Sequence, residues 1–106
     1  MRTQNSSYGF KHLIKSSQSF NCNNCIHFTY SFSNDEYLYL MVNKKYGNAP
    51  NRNLFKRRAR VLFSELIEQY SNLNIGLMIK PLKKNISFQD LKDCFELLNK
   101  KMKIKH

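Results

Sequence analysis

Residues 37–60 read YLYLMVNKKYGNAPNRNLFKRRAR, and this stretch predicts the centre of the fold. Its first seven residues are apolar on both faces, as is typical of a strand buried in a sheet. Gly47 and Asn48 interrupt that pattern. Pro50 suits the first turn of a helix, where an amide hydrogen would have no partner. We therefore predict a buried central strand over 37–43 and a helix over about 51–70.

The predicted helix has two chemically different sides. At 100° per residue, one apolar stripe is formed by Phe55, Ala59, Leu62, Phe63 and Leu66. The adjoining arc carries Asn53, Lys56, Arg57 and Arg60. Arg58 lies nearer the opposite arc, where it could pair with an acid such as Glu65. The helix thus offers an apolar side to a sheet and a cationic side to a ligand.

Positive charge is concentrated in this part of the chain. Seven Lys or Arg residues fall within 44–60, no Asp or Glu occurs between Glu36 and Glu65, and the formal net charge is +11. Such a balance favours a polyanion, which could be RNA, DNA or an acidic membrane surface. We predict phosphate contacts from Arg52, Lys56, Arg57 and Arg60, extended by Lys44 and Lys45, with Asn53 bonding backbone or sugar. The alternative is that these are solvated surface cations.

The rest of the chain supplies further elements. The sequence predicts a helix over 7–16, a loop or short edge strand over 17–24, and an alternating half-exposed strand over 25–32. A turn at 33–36 then predicts a hairpin with the next strand. A strand over 75–80 is stopped by Pro81, and Ser87 resembles the start of a capping box.

A last helix follows that box, with Leu91, Cys94, Phe95, Leu98 and Met102 at helical spacing. The order predicts one α+β domain over residues 1–106, with a βαβ crossover and a tail that frays from about residue 100. Phe28 and Tyr30 share a face of their strand, which could either stack on unpaired bases or form the core.

Other classes of function find little support in the residues. Cys22 and Cys25 form one CxxC, but no second pair completes a zinc site, so we interpret them as reduced thiols. No pattern of nucleophile and base, paired carboxylates or Gly-rich phosphate loop appears. No apolar run reaches the roughly 20 residues that span a bilayer, and the first ten residues are unlike a secretory signal, which predicts a cytoplasmic protein.

Residues 42–60 closely resemble the hallmark stretch of the bacterial ribonuclease P protein family. The matching positions are Lys44, Lys45, Gly47, Asn48, Ala49, Arg52, Asn53, Lys56, Arg57 and Arg60. The family has Arg where this chain has Leu54, and Arg58 could compensate. The resemblance extends more weakly over nearly the whole chain.

This resemblance implies an α-β-β-β-α-β-α order with a left-handed crossover, against the general rule for such units. It implies a protein that binds the catalytic ribonuclease P RNA and the 5′ leader of precursor tRNA, with no further protein partner. Cleavage would be done by the RNA with Mg²⁺, and no protein side chain would be catalytic. By position, RNA contacts would include Asn48, and the leader cleft would involve Phe10, Ile14 and Phe28.

Three other functions stay open. A general or ribosome-associated RNA-binding protein would use the same cations without processing RNA. A small basic ribonuclease would cleave RNA without an RNA partner. A helix-turn-helix DNA binder is disfavoured, because the apolar strands at 37–43 and 75–80 do not belong to a mostly helical fold.

Overall fold

Four strands and two long helices make up the computed structural model, which describes residues 18–33, 36–70 and 74–105. The strands are β1 (Gln18–Cys22), β2 (Ile26–Ser33), β3 (Tyr37–Leu40) and β4 (Asn74–Pro81). A short 3₁₀ helix spans Lys44–Tyr46, and the long helices are α1 (Ala49–Ile67) and α2 (Phe88–Lys105). This α+β architecture confirms the predicted fold class. The helix predicted over 7–16 lies outside the described residues.

The hairpin of this sheet joins β1 and β2. Asn23 and Asn24 have φ of 52° and 55°, and the Cys25 amide donates to the Cys22 carbonyl at 2.9 Å. Asn tolerates this left-handed conformation better than most residues, so the pair forms a tight turn. Of the two predictions for residues 17–24, the edge strand is the one confirmed.

The hairpin predicted between β2 and β3 is wrong. The sheet order is β1-β2-β4-β3, with β2 antiparallel and β3 parallel to β4. β4 lies between β2 and β3 and pairs with both of them. β3 is therefore an edge strand rather than the predicted central one, although Leu38 is fully buried. The parallel β3–α1–β4 connection confirms the predicted crossover, and its left hand stays a prediction.

Both helices bury their predicted stripes. Every apolar residue assigned to the core from its spacing in α1 and α2 is buried. Phe28 of β2 meets Phe95 of α2 edge-on at 5.5 Å between ring centroids. This contact places α2 on the face of the sheet that carries Phe28 and Ile79, both fully buried.

The helix ends differ slightly from the sequence predictions. α1 begins two residues earlier than predicted and ends at Ile67 rather than 70. The Ser87 hydroxyl accepts from the Asp90 amide at 3.0 Å, so the predicted cap is present at α2. α2 continues to Lys105, past residue 100, where the sequence predicted fraying. Within the described ranges, neither helix is apolar enough over sufficient length to cross a membrane.

Candidate nucleic-acid interface

The 3₁₀ helix holds two lysines at the surface by burying the residue after them. The Asn43 side-chain oxygen accepts from the Lys45 amide at 2.9 Å and starts the turn. Tyr46 is buried, with its ring 5.1 Å from that of Phe55 in α1. The Ile86 amide donates to the Tyr46 hydroxyl at 3.3 Å. Tyr46 thus fixes this segment, while Lys44 and Lys45 stay exposed.

The connection from the 3₁₀ helix to α1 is defined by local hydrogen bonds. Gly47 has φ of 155°, a conformation that side chains disfavour, and an added Cβ would lie 3.4 Å from Asn51. The Asn48 side chain accepts from the Asn51 amide at 3.0 Å and caps α1. Arg52 donates from Nη1 to the Gly47 carbonyl at 2.9 Å. Asn48 and Arg52, predicted as RNA contacts, therefore also build the turn.

Arg52 keeps unused donors despite this bond. A guanidinium carries five N–H groups in a planar fork, and one donates to Gly47. Its side chain is only partly buried, so the remaining donors can reach a phosphate. The same residue can thus shape the turn and bind an anion.

The cations of α1 follow one flank of the helix. Lys56 and Arg60 are half-buried beside the apolar stripe, and Asn53 and Arg57 are exposed further round. Arg58 lies on the other flank, with its guanidinium carbon 5.2 Å from the Phe88 ring centre. Arg58 is thus engaged in a cation–π contact with α2, rather than with the predicted Glu65.

We call the set Lys44, Lys45, Asn48, Arg52, Asn53, Lys56, Arg57 and Arg60 the cationic turn-helix. Among the described residues, no carboxylate forms an ion pair with its lysines or arginines, and the first turn of α1 contains no acid. The helix dipole places further partial positive charge at that end. The like charges of this arrangement repel one another, and a bound polyanion would relieve that repulsion.

Of the three predicted leader residues, the structure describes Phe28. Phe10 and Ile14 lie outside the described residues. Phe28 is fully buried between Phe20 and Phe95, at 5.5 Å from each ring, so it cannot stack on a nucleotide. The opposite face of β2 is also more buried than the half-exposed strand prediction implied, since Thr29 is only 5% exposed. The core alternative for this aromatic face is the correct one.

One group of lysines was not predicted from the sequence. Lys80 lies near the end of β4, Lys83 and Lys84 follow that strand, and all three face a groove that Lys45 also lines. The signal was present in the sequence, because residues 80–84 read KPLKK without an acid. No role was predicted for that run.

The three cysteines are free and buried in one region. The Cys94 thiol donates to the Cys22 carbonyl at 3.8 Å. Burial, together with the neighbouring Cys22, raises the pKa of the Cys94 thiol well above its ordinary value. In the part of the chain that the structure describes, no three His, Cys, Asp or Glu side chains are grouped to hold a metal ion.

The fold and site together define a small α+β protein that presents a cationic turn-helix beside a parallel strand crossover. A model of the family described as Ribonuclease P matches residues 4–103. The chain therefore belongs to the bacterial ribonuclease P protein family, as the resemblance indicated.

Individual relatives agree with this membership. The ribonuclease P protein component of Phytoplasma australiense is 49% identical over 61 residues, a match that covers 53% of this chain and 50% of that protein. The fold is similar to that of the RNase P protein from Thermotoga maritima, with a TM-score of 0.72, 18% identity, and 94% and 97% of the two chains covered. It is also similar to the Staphylococcus aureus RNase P protein, with a TM-score of 0.61, 16% identity, and 95% and 94% covered.

Proposed function

We propose that this chain is the protein subunit of a cytoplasmic ribonuclease P, which removes the 5′ leader of precursor tRNA. In this proposal the cationic turn-helix binds the catalytic RNA, and the RNA carries out the cleavage. The observation that carries the proposal is the acid-free flank of α1, where Lys56, Arg57 and Arg60 lack carboxylate partners among the described residues. Family membership supports the same assignment.

The mechanism we propose is electrostatic. Each Lys or Arg that neutralises a phosphate releases a condensed counterion, so binding weakens steeply with salt. Cations held on a rigid helix also lower the repulsion between RNA segments that must approach each other. We assign the Mg²⁺ cofactor to the RNA, as the family resemblance implies. The protein's positive charge would then reduce the Mg²⁺ concentration that the RNA requires.

A leader contact needs a different surface from the one first predicted. Phe28 faces the helices, so any contact of the sheet with the leader uses the opposite face. That face is accessible at His27, Met78 and Lys80, because the first two are half-buried and Lys80 is exposed. Substituting Phe28 would unfold the core rather than report on the leader.

The test is reconstitution of the protein with the cognate catalytic RNA and precursor tRNA at low Mg²⁺. We expect cleavage at the mature 5′ end at Mg²⁺ concentrations where the RNA alone is inactive. The catalytic RNA without protein and the protein without RNA are the controls. Cleavage by the protein alone would favour the small ribonuclease. Binding of many RNAs with no effect on cleavage would favour the general RNA-binding protein.

A further inference from the structure

A second cationic surface adjoins the cationic turn-helix, shares Lys45 with it, and lies at the carboxyl ends of the parallel strands β3 and β4. A groove of about 430 Å³ opens there between the segment after β3 and the loop that leads to α2. Its volume is within the range of about 300–1,000 Å³ that is typical of ligand sites. In open α/β sheets, ligands commonly bind at the carboxyl ends of the parallel strands.

The groove is held by main-chain contacts on both sides. The Met41 amide donates to the Ile79 carbonyl at 2.9 Å, which fixes the first wall. The Leu82 amide donates to the Cys25 carbonyl at 2.7 Å, which ties the second wall to the β1–β2 turn. The bond from Ile86 to the Tyr46 hydroxyl closes the base of the loop. The groove is therefore built into the fold.

Its lining combines positive charge with apolar contact surface. The described residues that face it include four lysines, Lys45, Lys80, Lys83 and Lys84, and no carboxylate. All four lysines are exposed. Met41 and Leu82 also line the groove and are 43% and 41% exposed, large fractions for apolar side chains. This combination fits a phosphodiester chain, whose phosphates would meet lysines while a sugar or base covers the two apolar side chains.

The geometry points to this groove as a second binding site for the backbone of the catalytic RNA, separate from the arc on α1. This inference rests on the proposed function. We assign the groove to the catalytic RNA rather than to the leader because Lys45 and Tyr46 belong both to the groove and to the 3₁₀ helix that leads into α1. One RNA could therefore run from the groove onto the cationic turn-helix without leaving positive surface.

The first experiment compares two variants with equal loss of charge. Lys83→Gln with Lys84→Gln removes two groove cations, and Lys100→Gln with Lys103→Gln removes two exposed cations from the far end of α2. All four positions are exposed, so neither variant should affect folding. Affinity for the cognate catalytic RNA is measured as a function of salt.

We expect the groove variant to bind about tenfold more weakly at about 150 mM salt. Its slope of log K against log salt should fall by about 1.4–1.8, the value for two lost phosphate contacts. The control variant should stay within about twofold of the wild type and keep its slope. Equal effects in both variants would overturn the inference, because they would reflect net charge alone.

The other outcomes are equally informative. If the wild type binds and activates the catalytic RNA but the groove variant matches it, the groove inference fails and the proposed function stands. If only precursor-tRNA binding by the assembled complex weakens, the groove contacts the substrate and our assignment is wrong. If the wild type neither binds nor activates the catalytic RNA, the proposed function and this inference fail together.

A proximity measurement gives a second readout. The native cysteines are at most 6% exposed, so Leu82→Cys places one accessible thiol among the described residues, at the groove. A photo-crosslinker attached there should join the protein to one region of the catalytic RNA, whereas Lys100→Cys should give at most weak crosslinking. Equal crosslinking from both positions would contradict the inference.

Discussion

Helices α1 and α2 bury similar apolar stripes on their inner sides but differ in the charges on their outer sides. Each packs one stripe of buried apolar residues against the core. On the outer side of α2, acids and a base are mixed through Asp90, Lys92, Asp93 and Glu96, and lysines gather near its end. On the outer side of α1, all charged residues before Glu65 are cations.

This difference distinguishes a helix surface of mixed charge from the one that we propose binds RNA. On α2 the Gln89 amide donates to Asp93 at 2.8 Å, and the Lys92 ammonium lies 5.4 Å from the Phe88 ring centre. Its last lysines lie at the C-terminus, where the helix dipole favours them. In α1, Arg52 lies in the first turn, the end where the dipole disfavours cations. Burial periodicity therefore locates the core in both helices, while one-sided charge distinguishes the surface that needs a partner.

The largest effect on stability should come from the buried apolar stripes that both helices share. Phe63→Ala in α1 and Leu98→Ala in α2 each remove a fully buried side chain. We expect losses of about 3–5 and 2–5 kcal/mol in the free energy of unfolding, measured in urea. Val61→Ala on the exposed side of α1 should change it by less than about 0.5 kcal/mol. A loss at Val61 as large as at Phe63 would contradict the assignment of the two sides.

The outer sides should differ in RNA affinity. Lys56→Gln with Arg57→Gln on α1 should weaken binding of the catalytic RNA by about 10- to 30-fold and flatten its salt dependence. The control is the Lys100→Gln with Lys103→Gln variant of α2, which should retain affinity within about twofold. We leave Arg52 intact because its bond to Gly47 would confound the result. Equal weakening by both variants would remove the distinction between the helices.

The stability of the protein at alkaline pH tests the burial of Cys94 on the inner side of α2. Burial keeps the Cys94 thiol protonated in the folded state by raising its pKa, whereas the unfolded thiol ionises near about 8.5. Above that pH, unfolding releases a proton, so stability should fall by up to about 1.4 kcal/mol per pH unit. The raised pKa values of Tyr30 and Tyr70, which burial also causes, extend the fall above about pH 10.

The measurement is the free energy of unfolding between about pH 7 and 9.5 under reducing conditions. Cys94→Ala should begin lower, because it leaves a cavity, but should decline less steeply with pH. Parallel pH profiles for the wild type and the variant would show that Cys94 is not the cause.

The smallest effect should come from the helix caps. Asn48→Ala at α1 and Ser87→Ala at α2 each remove an oxygen that accepts from a main-chain amide. We expect each to cost about 1 kcal/mol in thermal or urea unfolding. The comparison becomes sharper if the Asn48 variant also loses RNA affinity, since its cap lies inside the proposed interface. Unchanged stability in both variants would argue against these caps.

Local patterns predicted a large part of this fold. The stripes of both helices, the cap at Ser87 and the cationic flank of α1 follow from helical spacing, which is set within a few turns of chain. The family resemblance added the function, which the residues alone left among several polyanion binders. The structural predictions succeeded where neighbouring residues carry the necessary information.

The βαβ crossover was confirmed, but other predictions that depended on distant partners failed. The turn at 33–36 suggested that β3 pairs with β2, yet β4 takes that place. The alternation in β2 could not say which face packs, and the family resemblance assigned Phe28 to a cleft, whereas Phe28 is buried against Phe95 of α2. The groove beside Lys45 was missed for the same reason, because its second wall comes from lysines that are distant in sequence.

The parallel pairing of β3 with β4 has a consequence for biosynthesis. In the described sheet, β3 borders β4 and no further strand. β4 is translated only after the whole of α1. While the chain emerges from the ribosome, the cations of α1 therefore appear before the sheet that supports them is complete. Nascent chains would carry this exposed positive segment next to ribosomal RNA, so early folding should depend on ionic strength.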